Sequence, residues 1–388
     1  MTTFFTLSQK DLSQAFNLIN LISPRKSEIE LFTFTKIVVQ EDKTIIESFN
    51  PNLAYSITLP PAKPFKDFNG TVAFLIKTEL LVSGVSLLNE DQIGFELNLD
   101  KKTIVLQGTK SKHTLRVETD SLEQFVLPSS LDGKVITEIE VNAKKFIKAN
   151  TVAKISVGNS KTTYQSEFLN ICYTLKPSNK LAVVSSDKLR LAISEIECKY
   201  SPMLEENKNI LILPKAADLF EMIAGSAESI NLKITEDFIW VENDNQKLGI
   251  RQSSGTYAPY ERIVPQSFAC TFNLNAKDFL LGLKQVYFSA RANTVNKTTQ
   301  VIVQPNNKKM KLTSQTTDGY SSEAEIDILN YEGTMEDWSQ SFNADFLIEY
   351  LSMIDTENVL WESNPGKPAV LSPDSKKEEE FYLVSGLR

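Results

Sequence analysis

Three stretches of the chain repeat one pattern of apolar and polar positions. Each begins with the alternation typical of a strand and continues with apolar residues at the spacing of an amphipathic helix. They are "FFTLSQKDLSQAFNLINLIS" from Phe4, "EIEVNAKKFIKANTVAKIS" from Glu138 and "TFNLNAKDFLLGLKQVYFS" from Thr271. Aligned on Leu7, Val141 and Leu274, they recur at intervals of 134 (141 − 7) and 133 (274 − 141) residues in a chain of 388. Such a regular period predicts tandem domains of one fold.

The segments that follow each predicted helix alternate in the manner of strands and are divided by polar turns. They are "LFTFTKIVVQEDKTIIES", "FLNICYTLKPSNKLAVVSS" and "TTQVIVQPNNKKMKLTSQ", and they predict antiparallel hairpins. A second helix is predicted in each repeat, in "IKTELLVSGVSLL", "PKAADLFEMIAGS" and "NADFLIEYLSMI", with further strands after it. The third copy is the least regular, since "NVLWESNPGKPAVLSPD" contains three prolines. We therefore predict an α+β protein with three domains (1–134, 135–265 and 266–388), each built of two strand-helix-strands halves.

The charge balance argues against nucleic-acid binding unless the charges are unevenly placed. The chain has 41 Lys and Arg against 49 Asp and Glu, a formal net charge of −8, and attraction to phosphates needs basic residues. On the third-repeat helix, however, Lys277, Lys284 and Arg291 are spaced by seven, so each step returns within about 20° of the same face. Lys144 and Lys148 form an i, i+4 pair in the second repeat. Any one such face could be an ordinary solvated surface, but its repetition favours sequence-independent contact with a phosphate backbone.

Motifs for catalysis or cofactor binding are nearly absent. The single histidine, His113, has no nucleophile or metal-ligand context, and no phosphate-binding glycine motif occurs. The acids Glu378 to Glu380 lie in "DSKKEEE", which is typical of a solvated loop. We predict no catalytic residues, no cofactor and no metal; an enzyme built from carboxylates dispersed in sequence is the alternative.

Cysteine usage and hydropathy indicate the compartment. The three cysteines, Cys172, Cys198 and Cys270, are odd in number and widely spaced, which favours reduced thiols over a disulfide framework or a zinc site. No leader-like start and no apolar run long enough to span a bilayer is seen, so we expect a cytoplasmic protein without a membrane partner. The sequon at Asn296 is then a chance match.

Three short stretches resemble the bacterial β sliding clamp, the processivity ring of the replicative DNA polymerase. "SSDKLRLA" (185–192) is similar to that family's "TDGHRLA", "YAPYERIVP" (257–265) to "FPDYRRVLP", and "FYLVSGLR" (381–388) to "YVVMPMR". The resemblance spans the whole chain and includes the threefold repeat. Each motif is weak by itself, but their order along the chain is specific.

The resemblance implies a DNA sliding clamp that is not an enzyme. Two chains would close head to tail into a six-domain ring, with antiparallel sheets outside and helices lining a hole around duplex DNA. The ring would contact DNA without sequence specificity and would tether the replicative polymerase, the clamp loader and repair proteins through short linear peptides. The expected DNA-facing basic residues are Arg25, Lys26, Lys144, Lys148, Lys277, Lys284 and Arg291.

The family's peptide-binding cleft carries over residue by residue. Here it would contain Leu169, Ser186, Lys188, Leu189, Arg190, Leu191, Ala258, Ile263, Leu383, Ser385, Gly386, Leu387 and Arg388. The chain departs from the family where Lys188 and Leu189 replace Gly-His, Ala258 replaces Pro, and Ser385 and Gly386 replace Met-Pro. Because these last changes remove apolar area, we expect a shallower cleft or a different peptide preference. For Leu191 and Ile263, plain core packing is the alternative.

The resemblance also implies a dimer interface. It places His113 and Leu115 on a first-domain edge strand, opposite Tyr287 and Phe288 of the third domain, with His113 as an aromatic packing partner. A ring of two-domain chains is disfavoured by the three repeats. The remaining alternative is a tandem β-rich scaffold or adhesion protein with no DNA role, which would explain the strands but not the basic helix face.

Overall fold

The computed structural model describes residues 2–64, 70–128, 134–160, 165–225, 227–292, 297–374 and 379–387. Arg388 of the predicted cleft, Glu378 of the acidic run and the sequon residue Asn296 lie outside the described residues.

Six α-helices occur in the described ranges, and each directly follows a strand. They are α1 (Gln9–Ile22), α2 (Thr78–Ser86), α3 (Ala143–Ile155), α4 (Pro214–Ala224), α5 (Ala276–Ala290) and α6 (Ala344–Leu351). Three of them start at a polar N-cap, Ser8, Asn275 or Asn343, whose side chain accepts a hydrogen bond from a backbone N–H of the first turn. These caps satisfy amides that have no partner within the helix, which is why the strand can turn into a helix there.

The strands fall into the three predicted repeats. In the first they are β1 (Thr2–Ser8), β2 (Phe34–Val39), β3 (Thr44–Phe49), β4 (Leu53–Leu59), β5 (Lys63–Pro64), β6 (Val72–Lys77), β7 (Gln92–Asn98), β8 (Thr103–Gln107) and β9 (Lys112–Glu118). In the second they are β10 (Thr137–Asn142), β11 (Ile171–Lys176), β12 (Lys180–Ser186), β13 (Arg190–Ser201), β14 (Lys208–Ile212), β15 (Ser229–Ile234), β16 (Phe238–Glu242) and β17 (Gln246–Arg251). In the third they are β18 (Cys270–Asn275), β19 (Thr298–Gln304), β20 (Lys309–Gln315), β21 (Ser321–Gly333), β22 (Trp338–Asn343), β23 (Asn358–Ser363), β24 (Ala369–Pro373) and β25 (Glu380–Val384).

This element order confirms the α+β fold class and the six half-units. Apart from the two-residue β5, every repeat reads strand, helix, three strands, and then the same again. The proline-containing segment of the third repeat also forms strands, because its prolines fall between β23 and β24 or at the end of β24, where a missing N–H does not break a ladder.

The chain divides into two compact units. The first comprises Met1–Ala143, Tyr200–Met203 and Asp218–Gln252, and the second Lys144–Lys199, Leu204–Ala217 and Ser253–Arg388. Because this division splits the second repeat, the domain boundaries at 134 and 265 stay a prediction.

In the first unit, one sheet continues from the first repeat into the second. Strand β17 pairs antiparallel with β4, with Leu248 opposite Tyr55, and the Tyr55 hydroxyl donates to Gln246 Oε1 at 2.7 Å. Helix α1 buries the face that carries Leu12, Phe16 and Ile19. Burial of apolar side chains at about 25 cal/mol per Å² is the main stabilising term for such a layer of helices on a sheet.

In the second unit, the corresponding join is made by β13 and β25, which pair antiparallel with Leu191 opposite Leu383. The long strand β21 pairs first with β20, from Ser321 opposite Gln315 to Asp327 opposite Lys309. From Ile328 onward it pairs with β18. Helix α5 packs on these strands through Phe279, Leu283 and Val286, which are fully buried. The β13–β25 pairing brings the C-terminal strand beside the stretch 185–192, and this is the region of the predicted cleft.

Candidate peptide-binding site and basic helix faces

The stretch 186–190 is a tight turn held by its own polar side chains. Asp187 Oδ1 accepts hydrogen bonds from the backbone N–H groups of Leu189 at 3.0 Å and Arg190 at 2.9 Å. Ser186 Oγ accepts from the Lys188 N–H at 3.1 Å and donates to the Arg190 carbonyl at 2.8 Å. Lys188 has φ +77°, a left-handed conformation. Asp187 therefore has a structural role in the turn.

Arg190 is held from three sides. Its Nε donates to Asp187 Oδ2 at 2.8 Å, its Nη1 pairs with Glu349, and its guanidinium lies 4.1 Å from the centre of the Phe346 ring. Burial opposes the charged form, but Tyr382, Glu349 and Asp187 outweigh it, so the pKa of Arg190 is higher than usual. With its side chain only 11% exposed, Arg190 braces the turn and has little charge to offer a ligand.

An apolar cluster lies beneath this turn. Leu191 is 0% exposed and Leu383 4%, and both pack in a cluster with Tyr257, while Ala258 packs against the cluster from its edge. Leu191 and Leu383 thus support the predicted cleft from below. Because both side chains are buried, a ligand could contact them only if the chain rearranged.

Two predicted cleft residues are apolar and open to solvent. Leu189 is 51% exposed at the tip of the turn, and Ile263 is 54% exposed at the end of the short helical turn Tyr260–Ile263. Tyr260 itself belongs to the buried cluster. Leu169 and Leu387 are half-buried. The accessible apolar surface is therefore supplied mainly by Leu189 and Ile263.

The C-terminal tail is fixed in two places. The Ser385 N–H donates to the Leu189 carbonyl at 2.8 Å, and the Leu387 N–H donates to the Ser341 carbonyl of strand β22 at 2.7 Å. Between them, a Cβ on Gly386 would stand 1.9 Å from Gln340 Nε2, so a side chain at this position would require Gln340 to move. Gln340 Nε2 donates in turn to the Lys367 carbonyl at 2.8 Å. Sequence reasoning missed Gln340, because nothing local marks it as the neighbour of the tail.

The predicted basic face of α5 is exposed. Lys277, Lys284 and Arg291 lie at the surface, with Arg291 one residue beyond the last helical residue, and its guanidinium lies 5.4 Å from the Phe288 ring centre. Within the described ranges, none of the three forms an ion pair. A different stripe of the helix, with Phe279, Leu283, Val286 and Ala290, is buried.

The other predicted DNA-facing residues differ in whether an acidic side chain of the same chain pairs with them. Lys144 is exposed, whereas Lys148 Nζ lies 2.8 Å from Asp355 Oδ1, with the lysine side chain 26% exposed. Arg25 pairs loosely with Glu79 at 3.6 Å, and both side chains are well exposed. Lys26 is exposed in the loop after α1. Lys148 is therefore partly neutralised by its own chain, and Lys144 is the more available lysine of that pair.

The four predicted interface residues lie on a sheet edge and a helix end. His113 and Leu115 alternate along β9 and are half-buried; across the described residues, His113 Nε2 has no hydrogen-bond partner. Tyr287 is half-buried and Phe288 is 62% exposed, both in the last turn of α5. Phe288 therefore presents apolar ring surface to solvent at the end of α5.

The part of the chain that the structure describes contains neither a metal-binding cluster nor a membrane-spanning helix. No group of three or more His, Cys, Asp or Glu there could hold a metal ion, and no helix combines the length and hydropathy needed to cross a bilayer. All three cysteines are buried, and none of them is in a disulfide.

Comparison with known proteins gives relatives along nearly the whole chain, although no family model matches it. The beta sliding clamp of Helicobacter pylori is 22% identical over 382 residues, 97% of this chain and 96% of that protein. The beta sliding clamp of Staphylococcus epidermidis is 21% identical over 367 residues, 93% of each.

Solved structures share the fold. The beta subunit from DNA polymerase of Streptococcus pyogenes matches with a TM-score of 0.86 at 16% identity, covering 99% of this chain and 100% of that one. The DNA polymerase sliding clamp from Bacillus subtilis matches with a TM-score of 0.86 at 16% identity, covering 100% of each chain. The chain thus has the tandem clamp fold. Within that class it resembles the bacterial β sliding clamp over its full length, as the three sequence motifs predicted, and the prediction that it is not an enzyme agrees with this resemblance.

Proposed function

We propose that this chain is a DNA sliding clamp, a head-to-tail homodimeric ring that encircles duplex DNA in the cytoplasm and tethers the replicative polymerase. The observation that carries the DNA role is the exposed face of α5, where Lys277, Lys284 and Arg291 form no ion pair within the described ranges. In a chain with net charge −8, a free basic stripe on a helix suits loose contact with phosphates. Such contact is non-specific and salt-sensitive, which permits sliding.

Ring closure is supported by two open sheet edges. Strand β9 pairs with β8 through Lys112–Arg116, while among the described residues only Val117 and Glu118 pair with β6 on its other side. On β21, the segment Ser321–Asp327 pairs with β20, and the described pairings with β18 start only at Ile328. Each edge leaves backbone groups that another strand can satisfy, and a closed ring is one way to cover both.

The charges along these edges are opposite. The exposed row on β9 includes Lys112 and Arg116, and the exposed row on β21 includes Glu323, Glu325 and Asp327. Two lysines on the neighbouring strand β20, Lys309 and Lys311, pair with these three acids within the chain. They neutralise part of the negative charge of the row but not all of it. A head-to-tail contact brings rows of opposite sign together, whereas a contact between identical edges would place like charges opposite each other.

Helices beside both edges also carry exposed apolar pairs at a seven-residue spacing. Leu80 and Leu87, at α2 and its C-cap, are 52% and 71% exposed; Leu281 and Phe288 on α5 are 56% and 62% exposed. A seven-residue spacing keeps both members of a pair on one helix face. We assign the α2 pair of one copy and the α5 pair of the next to the same interface, together with His113, Leu115 and Tyr287.

The second part of the proposal is the partner site. Leu189 and Ile263 offer exposed apolar surface over a buried cluster that contains Leu191 and Leu383, which suits a linear peptide that seats apolar side chains on a preformed surface. Polymerase, clamp loader and repair proteins would dock there in turn. The rival, a tandem β-rich scaffold with no DNA role, accounts for the strands but gives no reason for the free basic stripe.

The molar mass of the native particle tests the ring. A two-chain ring requires about 87 kDa, twice 43.6 kDa, by light scattering at micromolar concentration. Phe288→Asp should shift the mass toward 43.6 kDa, because it charges an exposed apolar contact. Met335→Asp is the matched control, since Met335 is 53% exposed but lies in the loop after β21. A wild-type mass of one chain would contradict the ring.

A further inference from the structure

Lys188 has an unusual backbone conformation for a lysine. Its φ of +77° lies in the left-handed region, which is strained for a residue with a side chain and unstrained for glycine. Glycine stands at this place in the β sliding clamp stretch that "SSDKLRLA" resembles. The turn does not need a lysine side chain here, because Lys188 contributes only its backbone N–H to the hydrogen bond with Ser186. The strained lysine therefore suggests that its side chain has a function outside the turn.

The ammonium group of Lys188 lies over an aromatic ring and forms no ion pair among the described residues. Nζ lies 5.5 Å from the centre of the Phe168 ring, close enough for a cation–π attraction. Among the described residues it forms no ion pair, while the nearby carboxylates of Asp187 and Glu349 are both bound to Arg190. Its N–H donors are therefore free for a ligand, on an exposed side chain.

This ammonium borders the exposed apolar surface of the partner site. Lys188 directly precedes Leu189, whose side chain is 51% exposed, and the Phe168 ring beneath its Nζ belongs to the same buried cluster as Leu191. A ligand that covers Leu189 therefore passes within reach of a free cation. A bare phosphate would use the charge but leave the apolar surface uncovered, which favours a peptide that carries both features.

We propose that Lys188 is a specificity-determining residue that selects linear peptides with an aspartate or glutamate beside their apolar anchor residues. The proposal rests on peptide docking at this site and adds the chemistry of the preferred peptide. An exposed ion pair contributes modestly, so we expect a roughly two- to fivefold preference for glutamate over glutamine.

Selection from a displayed library of random octapeptides on the immobilised full-length chain tests this directly. Wild-type protein should enrich peptides with apolar anchors and an adjacent acid; Lys188→Gly, which also relieves the backbone, should keep the apolar anchors and lose the acid. Lys308→Gly is the matched control, because Lys308 is another exposed lysine with positive φ (51°) at a turn, and it should behave as wild type. Fluorescence anisotropy with the best octapeptide and its Glu→Gln analogue then measures the two- to fivefold ratio and its loss in Lys188→Gly.

The outcomes separate the two proposals. If wild type enriches apolar peptides without acids, or if Lys188→Gly keeps the acid preference, the role of Lys188 is wrong while peptide docking stands. If no peptide is enriched by wild type, peptide docking fails and the role of Lys188 fails with it.

Discussion

Arg190 donates from Nε to Asp187 Oδ2 at 2.8 Å, and the two side chains are only 11% and 14% exposed. This pair closes the turn that presents Lys188 and Leu189 at the surface. The same acid and base thus fix the shape of the proposed peptide-binding surface.

The first prediction concerns that pair. Asp187→Ala should lower the free energy of unfolding by about 1–3 kcal/mol, because it leaves the Nε–H of Arg190 and two turn amides without their acceptor. Asp187→Asn should cost less, since its amide oxygen can still accept from the Leu189 and Arg190 N–H groups. Urea denaturation measures both. Equal stability of Asp187→Ala and wild type would show that the turn is held by other contacts.

The second prediction separates exposed from buried apolar residues of the site. Leu189→Asp and Ile263→Asp should abolish binding of a selected octapeptide while changing the free energy of unfolding by less than about 0.5 kcal/mol, because both side chains are exposed. Leu191→Asp should instead prevent stable folding, since it places a carboxylate at a fully buried position. Anisotropy and urea denaturation report the two effects separately. Undiminished binding by both surface variants would move the peptide site elsewhere.

The third prediction concerns the C-terminal tail. Gly386→Ala should loosen the tail, because its Cβ would meet the Gln340 side chain, which can move aside only by giving up its hydrogen bond to the Lys367 carbonyl. Backbone hydrogen exchange at Leu387 should then speed up as its bond to Ser341 weakens. Combining it with Gln340→Ala should restore protection. If Gly386→Ala leaves exchange at Leu387 unchanged, the tail is not held by this close fit.

The fourth prediction concerns the thiols. Burial raises the pKa of Cys172 to about 12, and burial likewise raises the pKa of Cys270, so little thiolate is present near neutral pH. A disulfide reagent at pH 8 should react with none of the three cysteines in the native protein and with all three in urea. A fast-reacting thiol in the native protein would contradict this placement.

Sequence patterns predicted the parts of this molecule that depend on local periodicity. The strand-to-helix order follows from the 2- and 3.6-residue periods, and the seven-residue spacing of Lys277, Lys284 and Arg291 correctly predicted a basic face on α5. Contacts between residues far apart in sequence have no such signal. The pairing of Lys148 with Asp355 and the fit of Gly386 against Gln340 appear only in the fold.

The same distinction applies to the candidate site. Resemblance indicated which residues gather there, and the β13–β25 pairing does bring Leu191 beside Leu383. It did not indicate which of them face solvent. In the structure, Leu189 and Ile263 are exposed to solvent, whereas Leu191 and Leu383 are buried. This difference depends on how segments distant in sequence pack together.

Retention on closed DNA tests the central claim most directly. The ring, loaded onto a closed circular plasmid by its clamp loader, should co-elute with the plasmid in gel filtration at moderate salt and be released when the plasmid is linearised, because a topological link has no other exit. Lys277→Glu with Lys284→Glu should weaken retention at low salt, while Lys308→Glu should not. Equal retention on circular and linear DNA would contradict encirclement and with it the sliding-clamp function.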